Sequence, residues 1–157
     1  MKTKNYQNLS LEDRELVDEA ERTMENAYNP YSNFYVGAAL LTKEGEIFSG
    51  SNVENASYGM TICAERAALF KANSERKRTL EKIAIITKGQ KFDVEEPSAP
   101  CGACRQVIYE FSQISGKNIE IILSNTKKNK IIITTINELL PLAFGPVDLG
   151  IEVKKYQ

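Results

Sequence analysis

Apolar residues recur at helical spacing through Leu16, Val17, Ala20, Met24 and Ala27, behind a start signal of Ser10 followed by Leu11, Glu12 and Asp13. Asn29-Pro30 stops this helix. From Phe34 to Thr42 the residues are apolar and largely small, a polar turn containing Gly45 fills Lys43 to Glu46, and the apolar run resumes from Ile47 to Asn52. That alternation predicts a β-hairpin. A polar loop from Val53 to Ile62 leads into the Ala-rich stretch Cys63 to Ala72, which predicts a second helix, and Lys82 to Thr87 reads as a buried strand. Lys88 to Ala99, with Gly89, Pro97 and several charges, is a loop that delivers the chain to a third helix from near Cys101 to about Phe111. Strands follow at Ile119 to Leu123 and Ile131 to Thr134. Too few residues separate them for a parallel crossover, so they pair antiparallel. Asn137 to Leu140 begins a short helix that Pro141 stops.

This order predicts an α/β fold with a mixed five-stranded sheet flanked by helices. The 157 residues carry no repeat, low-complexity segment or linker. One domain is expected over 1–157, with its core at about 11–149 and short extensions at both ends.

Charge changes the picture by exclusion. Twenty basic residues nearly cancel 21 acidic ones, so no positive field exists to hold a polynucleotide, and a small substrate with no nucleic-acid partner is expected. Short basic runs at Arg76-Lys77-Arg78 and Lys127-Lys128 read as solvated faces. The N-terminus lacks an apolar stretch, and no later run approaches the ~20 residues of a membrane span. A cytoplasmic protein is expected. Histidine is absent, which excludes Ser-His and Cys-His hydrolases and any histidine metal ligand. Acid–base work near neutral pH must then fall to a carboxylate, a metal-held water or both.

All three cysteines lie in two short segments, Cys63-Ala64-Glu65-Arg66 and Pro100-Cys101-Gly102-Ala103-Cys104-Arg105. An odd number in a reducing compartment argues against a disulfide framework. Three thiolates on zinc leave its fourth position to water, the mark of a catalytic rather than a structural site, and Glu65 is the natural proton carrier beside that water. Cys101 and Cys104, three apart, share one helix face, while Cys63 and Glu65 both reach a target just off their helix's N-terminal end. Three thiolates make the site net negative. Two helix N-termini and Arg66, three residues after Cys63, supply the offsetting charge, with Arg105 a second candidate for the same service. Other readings stand beside this one: a redox Cys-x-x-Cys pair, a buried Cys63, surface ion pairs for both arginines, or a structural zinc site that takes Glu65 or Asp93 as fourth ligand.

Asn52-Val53-Glu54-Asn55 places polar side chains at the end of the second strand, where a ligand crevice forms in such sheets. Asn52 and Glu54 there suit sugar hydroxyls, and a carboxylate would repel a phosphate on the same hydroxyl. Ordinary turn capping is the alternative.

With these segments in hand the chain resembles the small zinc cytidine deaminases, in their all-cysteine, homotetrameric branch. The likeness covers roughly Leu16 to Leu149. It includes Cys-x-Glu followed by Pro-Cys-x-x-Cys, Asn29-Pro30-Tyr31-Ser32-Asn33-Phe34, Val36-Gly37-Ala38-Ala39-Leu40, Asn52 to Asn55, and Leu139-Leu140-Pro141-Leu142-Ala143-Phe144. The resemblance implies a three-layer cytidine-deaminase-like fold and one zinc ion per subunit on Cys63, Cys101 and Cys104, with Glu65 as proton shuttle. It also implies Asn52 and Glu54 on the ribose, Phe34 against the base, and the Ala64 N–H facing the pyrimidine carbonyl. Tyr58 and Phe144 resemble residues that neighbouring subunits lend to each other's pockets. The expected reaction is hydrolysis of cytidine and 2′-deoxycytidine to the uridines plus ammonia, in pyrimidine salvage. Rivals are deamination of another cytosine compound such as blasticidin S, an editing deaminase on RNA or DNA, and a non-enzymatic zinc module. The N-terminal residues, the tail from Gly150 to Gln157 and the Lys88 to Pro97 loop lie outside the likeness.

Overall fold

The computed structural model describes residues 1–89 and 95–157. Its centre is a six-stranded mixed sheet in the order β1-β6-β5-β4-β2-β3. These strands are β1 (Lys2–Lys4), β2 (Phe34–Thr42), β3 (Ile47–Ser51), β4 (Leu80–Gly89), β5 (Glu120–Asn125) and β6 (Ile131–Thr135). All five expected strands are present. The sixth, β1, pairs antiparallel with β6 at the sheet edge, Lys2 opposite Ile133 and Lys4 opposite Ile131. Three polar residues held by backbone bonding carry no side-chain pattern, which is why the sequence does not predict a strand there. β5 and β6 are antiparallel as expected, and β4 and β5 are the parallel pair.

Helices cover both faces. α1 (Leu11–Met24) starts at Ser10, whose Oγ accepts the Asp13 N–H at 3.1 Å. It ends at Met24, before Asn29-Pro30 as expected, and leaves Ala27 outside the helix. Its stripe of Leu16, Val17, Ala20 and Met24 packs on Ala39, Leu41, Ala84, Ile86, Ile122 and Ile131. The opposite face of the same strands, with Ala38, Leu40, Ile83 and Ile85, packs on α2 (Ala64–Ser74) and α3 (Gly102–Ser115). A strand buried on both faces is apolar at consecutive positions, as β2 and β4 are.

Two glycines set the close approach of the layers. A Cβ on Gly37 would lie 1.9 Å from the Ala20 carbonyl oxygen, and one on Gly50 would lie 2.6 Å from the Ala68 nitrogen. Both helices therefore seat directly on the β2–β3 hairpin. A short α4 (Ile136–Leu139) follows β6, with Thr135 and Glu138 forming a reciprocal capping box. β4 runs to Gly89, two residues past its expected end, and Asp93 falls outside the described residues. The C-terminal tail folds back onto α3. Gln157 donates to the Ile114 carbonyl at 2.7 Å and Arg78 to the Tyr156 carbonyl at 3.3 Å.

Candidate metal centre and active site

The chain enters both α2 and α3 through a cysteine. Cys63 and Cys101 are the N-cap residues, in extended conformation, one step before the first helical turn rather than within it. Neither side chain caps its own helix, so both sulfurs are left for another ligand. Cys104 sits in the first turn of α3 and is fully buried. The three Sγ atoms lie within 4.8 Å of one another, Cys63 and Cys101 at 4.0 Å. Tetrahedral zinc with Zn–S bonds of about 2.3 Å requires sulfurs about 3.8 Å apart. The donor set and its spacing therefore fit zinc, held between two helix N-termini that favour negative ligands.

The charges around the sulfurs are graded. The Cys63 thiol is lowered to about 5, first by a hydrogen bond with Cys104 and then, against the effect of burial, by Arg66. The same contact with Cys63, together with burial and the nearby Glu65, pushes Cys104 up. Arg66 Nη2 lies 3.7 Å from Cys63 Sγ and donates to the Thr61 carbonyl at 3.1 Å. It ties the sulfur to the strand-side approach of α2. Arg105 turns elsewhere: its Nε donates to the Pro100 carbonyl at 2.7 Å and its Nη1 to the Leu139 carbonyl at 2.9 Å.

Glu65, the second residue of α2, is 3% exposed. Its Oε2 has no hydrogen-bond partner among the described residues. An unpaired buried carboxylate oxygen is costly unless something else completes it. Burial pushes its carboxyl above the ordinary carboxylate range, its own backbone N–H works against that, and the Cys63 charge adds to the rise. That shift brings it toward the range in which a general base both takes and returns a proton. The Ala64 N–H beside it is at the first helical position, where the helix offers no internal acceptor.

The polar segment after β3 is pinned on both sides. Val53 bridges to Tyr28 and to Ile62, and Glu54 N–H donates to the Tyr28 carbonyl at 2.7 Å. Asn52, buried, spends its amide on the start of β2: Oδ1 accepts the Val36 N–H and Nδ2 donates to the Phe34 carbonyl, each at 2.9 Å. This bonding holds half-buried Phe34 in place and leaves Asn52 one amide hydrogen and one lone pair. Glu54 Oε2 accepts the N–H groups of Tyr31 and Ser32 at 2.8 and 3.2 Å. Slight burial opposes ionisation, but these bonds and the Ser32 side chain outweigh it, so Glu54 stays below its ordinary value and is a carboxylate at neutral pH. Glu54 thus does the turn capping that was one alternative for it, Asn52 instead braces the start of β2, and both keep bonding capacity to spare.

Tyr58 and Phe144 are 73% and 60% exposed. Tyr58 meets Tyr31 edge to face, with ring centroids 5.6 Å apart. Gln106, which the sequence did not single out, donates to the Phe144 carbonyl at 2.8 Å. Its place two residues past Cys104 was the available signal. A hollow of about 740 Å³ runs along α1, lined by Tyr6, Arg14, Asp18 and Glu19 among others, across the sheet from the sulfurs. It contains none of these groups. Among the described residues no helix is long and apolar enough to cross a membrane.

Residues 10–117 match the family model of the cytidine and deoxycytidylate deaminase zinc-binding region. A cytidine deaminase of Halalkalibacterium halodurans is 48% identical over 135 residues, 86% of this chain and 96% of that protein. The blasticidin-S deaminase of Bacillus cereus is 31% identical over 87% of this chain and 95% of its own length. Among solved structures, cytidine deaminase from Burkholderia pseudomallei superposes with a TM-score of 0.76 at 42% identity, covering 87% of this chain and all of that one.

Proposed function

The chain belongs to the cytidine and deoxycytidylate deaminase zinc-binding family, and we propose that it hydrolyses cytidine and 2′-deoxycytidine to uridine and 2′-deoxyuridine plus ammonia, a step of pyrimidine salvage. The observation that carries this reading is the buried, unpartnered Glu65 Oε2 beside three converged sulfurs. Cys63, Cys101 and Cys104 would hold one zinc ion. When bound, zinc supplies the Lewis acidity that lets water attack at neutral pH. Glu65 takes a proton from the attacking water as its oxygen adds to C4, delivers that proton to N3 of the ring, and then assists departure of the amine as ammonia. Its burial favours the protonated form it must pass through. Arg66 offsets the charge of the sulfurs, and the Ala64 N–H would donate to the pyrimidine carbonyl.

Phe34 would pack against the base, while Asn52 and Glu54 would take the ribose hydroxyls with the capacity their structural bonds leave over. Ionised Glu54 repels a phosphate, which supports a free nucleoside over a nucleotide. Tyr58 and Phe144 would complete the pocket of a neighbouring subunit in a homotetramer. Their exposure, with Leu142, Val147 and Leu149 also largely in solvent, supports an assembly that covers them. A site of three thiolates suits a reducing compartment, and the cytoplasm is the place proposed for it.

Ultraviolet loss of cytidine by the purified protein tests the reading, with Glu65→Gln as control. The kinship with a blasticidin-S deaminase makes that antibiotic the second substrate to assay. Turnover of cytidine with an inert Glu65→Gln variant supports the proposal; turnover of the antibiotic alone would replace it.

A further inference from the structure

We propose that Gln106 and Arg105 are positioning residues for the neighbouring pocket: from the helix that carries two metal ligands, they fix the 139–145 segment so that Phe144 is presented in one orientation. This rests on the reading above, in which Phe144 serves another subunit.

The segment is exposed yet held along its length. Arg105 Nη1 donates to the Leu139 carbonyl at its start, Gln106 Nε2 donates to the Phe144 carbonyl near its end, and the Gly145 N–H donates to Asp148 Oδ2 at 2.7 Å. Gly145 lies so close to the Tyr109 ring that an added Cβ would come 2.5 Å from Cε1. Between these anchors Leu142 adopts φ of 57° with its side chain wholly in solvent. A leucine is strained there, and such strain persists only where the surroundings over-determine the backbone. Arg105, Gln106 and Tyr109 all come from α3, so one helix grips both the segment and, through Cys101 and Cys104, the metal. Arg105 also donates to the Pro100 carbonyl, one residue before Cys101, and so joins the metal loop to the presented segment directly. An apolar ring 60% exposed on a backbone this constrained is arranged for a second copy of the chain rather than for its own core.

The test uses the full-length zinc enzyme. Gln106→Met keeps the side chain's length and loses the donor at an exposed position. It is expected to raise KM for cytidine about three- to tenfold, the scale of one lost hydrogen bond, with kcat and zinc content unchanged. Gln106→Lys, which restores a donor, is expected to recover most of that loss. Co-expression with Glu65→Gln subunits decides the direction of the effect. In mixed assemblies an intact Gln106 and Phe144 on the inactive subunit serve the active neighbour, and KM is expected to return toward wild type. Phe144→Ala is run in parallel. If Phe144→Ala is complemented in trans but Gln106→Met is silent, or is raised and not complemented, the positioning inference is overturned while the reading of Phe144 stands. If Phe144→Ala itself leaves KM unchanged, the reading of Phe144 fails and the inference falls with it.

Discussion

The metal centre and the proposed nucleoside side of the site are built in opposite ways. Cys104 and Glu65 are buried, all three sulfurs lie at the starts of two helices seated on the sheet, and a single chain brings them together. Phe34, Glu54, Tyr58 and Phe144 lie on loops, a short turn and a strand end, half-buried or exposed, and Tyr58 and Phe144 have the least cover of the four. The contrast separates two tasks. Moving protons at a fixed atom needs groups held rigidly against a dry core, whereas admitting and releasing a nucleoside needs a surface that a second chain can finish. On this view, lesions in the first region should act on kcat and metal, and lesions in the second on KM.

The largest effect should come from Glu65→Gln. The amide is isosteric and cannot carry the proton, so kcat is expected to fall by about 10³–10⁴-fold, with zinc content by metal analysis and thermal stability unchanged. Retained turnover would break the comparison at its stronger end. Next in size is Phe144→Ala, expected to raise KM about tenfold as the neighbouring pocket loses the apolar ring that completes it, while leaving kcat close to wild type. A fall in kcat with unchanged KM would mean that the two regions are not separate.

Glu54→Gln should be smaller, a rise in KM of about threefold to tenfold as a charged acceptor becomes a neutral one. The pH dependence sharpens it. Glu54 titrates below its ordinary value of 4.5, held ionised by the Tyr31 and Ser32 bonds against slight burial. If Glu54 holds the ribose as proposed, its contribution to binding is expected to be intact at and above neutral pH and lost only as the pH falls through that depressed value. A KM profile that rises near neutrality would remove Glu54 from the ribose.

The smallest effect marks the control region on the far face of the sheet. Asp13 is buried and bonds Lys82 Nζ at 2.6 Å, with Glu12 also 2.9 Å from that nitrogen. Burial raises the Asp13 carboxyl, but its bonds with Lys82 and Ser10 outweigh this and leave it below its ordinary value of 3.8. A depressed carboxyl contributes stability that is present above the unfolded value and lost as the pH falls through the folded one. Asp13→Asn should cost about 1 kcal/mol of stability at neutral pH by denaturant unfolding, a modest loss since Glu12 keeps Lys82 partly paired, and less in strong acid, where Asp13 itself is protonated. KM and kcat should both stay put.

What could be read from the residues follows the same divide. The metal ligands were legible because zinc fixes both residue type and spacing, and the helices beneath them because Leu16 to Met24 and the two-sided apolar runs of β2 and β4 leave few alternatives. The edge strand Lys2–Lys4 was not legible, since backbone pairing with β6 needs no particular side chains. Arg105 shows a different limit. A guanidinium offers five donors, and nothing local decides between a sulfur and a carbonyl; the fold decided, by bringing Leu139 within reach. Asn52 and Glu54 were placed correctly at a strand end, but their bonds to Val36, Phe34, Tyr31 and Ser32 depend on a turn and the start of β2, more than fifteen residues upstream in the chain. Gln106 was missed because its partner is a backbone carbonyl 38 residues away.

The most direct measurement follows cytidine absorbance with the purified protein as isolated, after zinc is stripped by a chelator, and after zinc is returned. Turnover that vanishes with the metal and comes back with about one zinc per chain is the predicted result. Full turnover by the stripped protein would contradict a mechanism centred on Cys63, Cys101, Cys104 and Glu65.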